Sequence, residues 1–322
     1  MSGPLPYSGS EYWKNYLLRW YGGEETLRQW TRHVRESTYR GQHRTHALDI
    51  YPGASPERPV IILVPGSVSY GRLFAYPALL LRELGYNVIT FDFEGCGLDR
   101  QGLGDYTLEA HVKNLVDVIQ RARQEFKGPV VTFGLSFGGM TSYLAAERTP
   151  VDVMAWYACV DPSDREFIQT EFSPGKAMPL VVSLFRGLAK LMPKVRVPVK
   201  AFLQYSRLSD SADFNDAYGK DPLVGGSCTL RAMVSVMSDY RKSVPFGAAR
   251  FPFLVMHDRQ DRMFPMKYSR KTYEQLGDIP KAYVELAGQG HWPTSPEGMK
   301  ALIAPLDTFL QGLPLGARAV GT

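Results

Sequence analysis

The chain has 322 residues, 44% of them hydrophobic and 21% charged, enough apolar material for a sizeable core without staples. Lys and Arg outnumber Asp and Glu by 37 to 32, and this formal charge of +5 includes no long basic run, which argues against a nucleic-acid partner. Cys96, Cys159 and Cys228 are too few and too scattered for a disulfide framework, and no apolar run approaches the roughly 20 residues of a membrane span. The start, Met-Ser-Gly-Pro-Leu-Pro, lacks the basic-then-apolar pattern of a secretory signal, so a reducing cytoplasmic location is expected.

Residues 11–32 read as one aromatic-rich helix, with Trp13, Tyr16, Leu17 and Trp20 at helical spacing. Such a stripe fits the buried face of a helix docked on the body, a cover over a pocket, or a dimer contact. Two strand-like runs follow near 33–39 and 45–51, separated by the polar Gly41-Gln42 turn. From residue 59 strands and helices alternate. Val60–Val64, Asn87–Phe91, Pro129–Phe133 and Val153–Tyr157 are short continuous apolar runs, with helices expected at 73–84 and, from the cap-like Thr107, at 107–126. This rhythm predicts a mostly parallel sheet with helices on both faces. It stops over 161–247, which read as helices and loops, and resumes with Phe253–Met256, a helix near 266–276, Ala282–Leu286 and a helix over 296–312. The expected organisation is therefore an N-terminal helical extension (1–32), a core in two parts (33–160 and 248–322), and a helical cap inserted at 161–247. The tail after Leu313 carries no recognised address.

Chemistry concentrates at Gly134-Leu135-Ser136-Phe137-Gly138. A serine presented on a sharp strand-to-helix turn crowds the backbone two residues before and two after, and Gly134 and Gly138 occupy those places. A strand precedes the turn and the helix-like Gly139–Ala146 follows it, which is the context of a nucleophile elbow. A serine hydroxyl needs a base, and the base an orienting acid, in the chain order Ser, acid, His. His291, in the Gly-bounded loop Gly288–Pro293, is the candidate base. Two aspartates, Asp258 and Asp261, lie in the loop leaving the strand at 253–256. Asp258, closer to the strand, also suits a turn residue accepting backbone hydrogen bonds. His257 is a candidate buried neighbour of the site. His33, His43, His46 and His111 lie outside this context. His43 and His46 have no acidic or Cys partner and read as surface or turn residues, so no metal is expected. An oxyanion hole would draw one N–H from Phe137 and another from the loop Pro65–Ser69, with Ser67 the candidate.

With these motifs in place the chain resembles the α/β-hydrolase superfamily, and within it the monoacylglycerol lipase, lysophospholipase and serine aminopeptidase-like group. The likeness runs from about residue 33 to 312 through Gly85–Asp92, Gly95-Cys96-Gly97, the elbow, Lys220-Asp221-Pro222-Leu223-Val224 and the two loops carrying Asp261 and His291. It implies an α/β-hydrolase fold, cofactor-free cleavage of a carboxylic ester with an acyl or apolar part, and Asp261 as the acid. Two departures stand out. Pro65-Gly66 replaces the usual His-Gly of the oxyanion loop, and Asp258 occupies the place of a common glycine.

The cap sequence Met178–Phe185, with Leu188, Leu191 and Met192 and with Arg186, Lys190, Lys194, Arg196 and Lys200 interleaved, suits an acyl pocket, a lipid-surface contact, or simply a helix covering the sheet. The partner is thus a small ester or acyl compound met by a monomer or homodimer. The same triad would also serve a thioesterase, an acyltransferase or a C–C bond hydrolase, and the fold alone would serve a non-catalytic binding protein.

Overall fold

The computed structural model describes residues 5–100, 102–171, 177–201, 203–288 and 290–316. Residues 1–4 and the tail beyond Gly316, on which the leader and tail expectations bear, lie outside the described residues.

An eight-stranded sheet forms the centre. Its strands are β1 (Arg35–Arg40), β2 (Thr45–Tyr51), β3 (Val60–Val64), β4 (Asn87–Phe91), β5 (Val130–Leu135), β6 (Val153–Tyr157), β9 (Phe253–Asp258) and β10 (Lys281–Leu286), in the spatial order β1-β2-β4-β3-β5-β6-β9-β10. β2 pairs antiparallel with β1 and β4, and all later neighbours pair parallel. β3, β4, β5, β6 and β9 are buried along their whole length, which explains their unbroken apolar runs. The helices between them are α3 (Ala75–Glu83), α4 (Leu108–Glu125), α5 (Phe137–Ala146) and α10 (Lys267–Gln275), and α11 (Pro296–Gln311) follows the last strand. Thr107 caps α4, its hydroxyl accepting from the Ala110 N–H at 3.1 Å, and Ser295 caps α11 in the same way through Gly298 at 3.0 Å. The sheet is that of an α/β-hydrolase.

The N-terminal segment departs from the single helix expected over 11–32. It forms α1 (Lys14–Trp20) and α2 (Gly23–His33), separated where Gly22 and Gly23 take φ of 85° and 71°. Two consecutive left-handed residues cannot continue a right-handed helix. Trp13, Tyr16, Leu17 and Tyr21 are all buried against the body. Trp13 and Trp30 flank the Arg72 guanidinium at 5.2 and 5.0 Å, while Arg72 pairs with buried Asp49 at 2.9 Å.

His46 also departs from its expected surface position. It is buried beside the Tyr39 ring, 5.4 Å away, because β2 turns it inward in register with Tyr39. Burial pushes its pKa down, so it sits there as a neutral ring. His43 is exposed, as expected.

Between β6 and β9 the chain forms α6 (Arg165–Glu171), α7 (Met178–Leu191), α8 (Ala212–Lys220) and α9 (Leu230–Ser238), with a short antiparallel ribbon of β7 (Arg196–Pro198) and β8 (Ser227–Thr229). Where this insertion leaves and returns, Lys242 Nζ donates to Asp161 Oδ2 at 2.5 Å and to Ser163 Oγ at 2.7 Å, tying its two ends together. The described part of α7 is apolar on two sides. Val182, Phe185 and Ala189 face inward, while Leu180, Leu184 and Leu191 are 75%, 63% and 81% exposed. Among the described residues, no helix is long and apolar enough to cross a membrane.

Candidate active site

Because β3, β5, β6, β9 and β10 run parallel side by side, their carboxyl ends lie along one edge of the sheet. Ser67 follows β3, Ser136 follows β5, Asp261 follows β9 and His291 follows β10. Ligands of open α/β sheets bind at that edge.

Ser136 joins β5 to α5 with φ 51° and ψ −120°, a conformation rarely adopted by non-glycine residues. Its neighbours hold it there. The Ser136 N–H donates to the Tyr157 carbonyl at 2.8 Å, and the Trp156 indole N–H donates to the Ser136 carbonyl at 2.7 Å. A methyl group on Gly134 would lie 2.3 Å from Gly139 Cα, and one on Gly138 would lie 2.2 Å from the Val64 carbonyl oxygen. The two glycines are therefore demanded by the closeness of the turn to its own helix and to β3.

Asp261 is the carboxylate that meets His291. His291 Nδ1 lies 2.8 Å from Asp261 Oδ2, and both side chains are buried. Asp258, in contrast, is the last residue of β9, and its Oδ1 accepts the Gln260 N–H at 2.8 Å in a local turn. The other Asp261 oxygen accepts the N–H groups of Met263 at 2.7 Å and Phe264 at 3.1 Å. His257 adds a further contact, its Nε2 lying 3.2 Å from Asp261 Oδ2 and 3.0 Å from the Phe264 carbonyl. Nε2 faces two acceptors and so carries the proton, leaving Nδ1 to accept from the Ser269 hydroxyl. Burial opposes the charged carboxylate, but the two imidazoles overcome that penalty and hold Asp261 well below the usual carboxylate range. It is therefore an anion at neutral pH.

Ser136 and His291 line one small cavity of about 50 Å³, together with Ser67, Tyr205, Tyr218 and Trp292. No Ser136–His291 hydrogen bond is formed among the described contacts, and such bonds are often long before substrate binds. A larger cavity of about 140 Å³ shares Ser67 and Phe137 with the first and is lined by Phe167, Val182, Met233 and Met237. Phe137 opens α5, so its N–H has no acceptor within the helix. The Ser67 N–H has no hydrogen-bond partner among the described residues. The loop carrying Ser67 is fixed through its neighbours. The Val68 carbonyl accepts from Tyr218 OH at 2.9 Å, and Tyr70 OH donates to buried Asp221 at 2.7 Å. Among the described residues, no group of three or more His, Cys, Asp or Glu is arranged to hold a metal ion.

Tyr157 carries no sequence signal of its own, yet it ties two parts of the site together. Its carbonyl receives the Ser136 N–H, and its hydroxyl donates to the carbonyl of Gly290, next to His291. Only the strand pairing that brings β6 beside β5 reveals it.

Comparison with known proteins bears on the family and the fold. The family model for serine aminopeptidase, S33 (Hydrolase_4) matches residues 55–294. A monoacylglycerol lipase from Paleococcus ferrophilus superposes with a TM-score of 0.62 at 20% identity, covering 86% of this chain and 99% of the other. A soluble variant of monoglyceride lipase from Saccharomyces cerevisiae, in complex with a substrate analogue, gives 0.67 at 16% identity, covering 86% and 94%. A putative non-heme chloroperoxidase from Synechocystis sp. is 24% identical over 239 residues, 70% of this chain and 83% of its own. The match of the family model over most of the chain, on the fold described above, makes this protein a member of the serine aminopeptidase S33 family of α/β-hydrolases.

Proposed function

We propose that the protein is a serine hydrolase that cleaves a carboxylic ester with a compact apolar acyl group. The observation that carries this reading is the convergence of a strained Ser136 and an Asp261-bound His291 on one cavity. In this reading Ser136 Oγ attacks the acyl carbonyl while His291 Nε2 takes its proton, and Asp261 holds the imidazole in the tautomer that leaves Nε2 free. The oxyanion is stabilised by the N–H groups of Phe137 and Ser67. His291 returns the proton to the departing alcohol, and water then cleaves the acyl-enzyme by the same route. No cofactor enters the reaction.

The insertion over 161–247 acts as the cap. Its Val182, Met233 and Met237 meet Ser67 and Phe137 from the sheet edge around the 140 Å³ cavity, which would take the acyl group. The lipases among the similar structures support an ester with an acyl part. The exposed Leu180, Leu184 and Leu191 on α7, beside exposed Arg186, Lys190 and Lys194, support meeting that substrate at a lipid surface.

Turnover of p-nitrophenyl butyrate by the wild type and by Ser136→Ala tests the assignment. The variant should lose roughly 10⁴–10⁶-fold in kcat. Retention of most of the activity would refute it.

A further inference from the structure

His291 sits in a loop with left-handed glycines at Gly288 (φ 84°) and Gly290 (φ 64°), so its position depends on what grips the loop from outside. On one flank the grip is Tyr157 on the Gly290 carbonyl. On the other flank it comes from the far end of the chain. Tyr21, just beyond α1, accepts a hydrogen bond from the Trp292 indole N–H at 2.6 Å and donates one to the Pro293 carbonyl at 2.6 Å. Both partners directly follow His291. The Tyr21 ring is itself immobilised, buried and stacked on Tyr76 of α3 at 5.1 Å with an interplanar angle of 11°. The rest of the segment is anchored independently, with Tyr12 OH donating to the Ala217 carbonyl at 2.8 Å and Tyr16 OH to Asp221 at 3.0 Å. All of these N-terminal residues precede residue 55, where the family match begins.

We infer that the N-terminal helical segment serves the reaction through one residue, Tyr21, a positioning residue that holds the His291 loop in its working geometry. The inference rests on the ester-hydrolase reading above. A buried phenol in this place has one donor and two acceptor positions, and it uses both kinds on neighbouring residues of the loop. Burial pushes the Tyr21 hydroxyl far up, so it is a protonated donor at neutral pH. Phenylalanine would keep the stacking on Tyr76 and delete only the grip. Misplacement of a catalytic group by 1 Å costs on the order of 10²-fold, and loss of one of two grips on the loop should cost less than that.

The test compares full-length Tyr21→Phe and Tyr12→Phe, each of which loses one buried tyrosine hydroxyl from the same segment. Active sites are first titrated with a fluorophosphonate, so that kcat is expressed per reactive Ser136. Tyr21→Phe should lower kcat about 10-fold with KM for p-nitrophenyl butyrate within twofold, whereas Tyr12→Phe should lose stability and keep kcat. Hydrogen exchange supplies a second readout, and the 288–294 segment should exchange faster in Tyr21→Phe than in Tyr12→Phe. Unchanged kcat per titrated serine in Tyr21→Phe, an equal kcat loss in both variants, or equal exchange of 288–294 would overturn the inference. A wild type that neither titrates nor turns over would instead overturn the ester-hydrolase reading, and the exchange comparison would still judge the role of Tyr21.

Discussion

If the 140 Å³ cavity takes the acyl group, as proposed, its size dictates a chain-length preference. An apolar cavity of roughly 150 Å³ accommodates a benzene ring, so this one holds about six carbon atoms. Each methylene buried there contributes about 0.8 kcal/mol, a factor of about 4 in kcat/KM. From acetyl to hexanoyl the gain should therefore be on the order of 10²-fold, after which it should stop. Val236 lines this cavity and is half-buried, so Val236→Phe inserts a ring where the chain would lie. The assay is kcat/KM for p-nitrophenyl esters of two to twelve carbons with both proteins. The wild type should peak near six carbons, and the variant should peak two or three carbons earlier with little change for acetate. A flat profile, a rise continuing through dodecanoate, or an unchanged peak in Val236→Phe would refute the assignment of this cavity to the acyl group.

Gly138→Ala should destabilise by about 3 kcal/mol or more and abolish turnover, since its methyl would meet the Val64 and Pro65 carbonyls; a wild-type urea midpoint would contradict the packing described. Asp221 is buried, and its pKa is raised from the ordinary 3.8 to about 6, chiefly by desolvation. A raised carboxyl favours the folded state most below its unfolded pKa, and that contribution is lost as pH rises through the folded one. Relative to Asp221→Asn, the wild type should thus lose roughly 3 kcal/mol of stability between pH 4 and pH 6.5 or so. Parallel stability curves for the two proteins, from urea unfolding at each pH, would contradict this. His257→Leu removes a donor from Asp261 and leaves the Phe264 carbonyl and Ser269 hydroxyl without that partner, at about 1–3 kcal/mol for each buried group left unsatisfied. Thermal unfolding should show the loss, and an unchanged Tm would mean these contacts contribute nothing net.

The parts of the fold legible in the sequence are those governed by local pattern. Val60–Val64 and Val153–Tyr157 announce buried strands because both of their faces are covered, and Thr107 announces its helix because the cap is a local hydrogen bond. The elbow is legible for a similar reason, since its crowding falls on residues at fixed offsets. Spacing alone left Asp258 and Asp261 open. What separates them is that Asp258 ends a strand and closes its own turn, while the loop swings Asp261 beneath His291. His46 escaped because its burial depends on the register of β1 against β2 rather than on its neighbours in sequence. The α1–α2 break lay in plain view at Gly22-Gly23, but the aromatic spacing across 13–20 masked it. The contact of Tyr21 with Trp292, some 270 residues away in the chain, has no local signature at all.

The central claim is that Ser136 is the nucleophile, and covalent labelling tests it most directly. The wild type treated with a fluorophosphonate should gain one adduct, mapped by mass spectrometry to the peptide containing Ser136. Asp261→Asn should label far more slowly and Ser136→Ala not at all. Labelling at another residue, or undiminished labelling of Ser136→Ala, would contradict the claim.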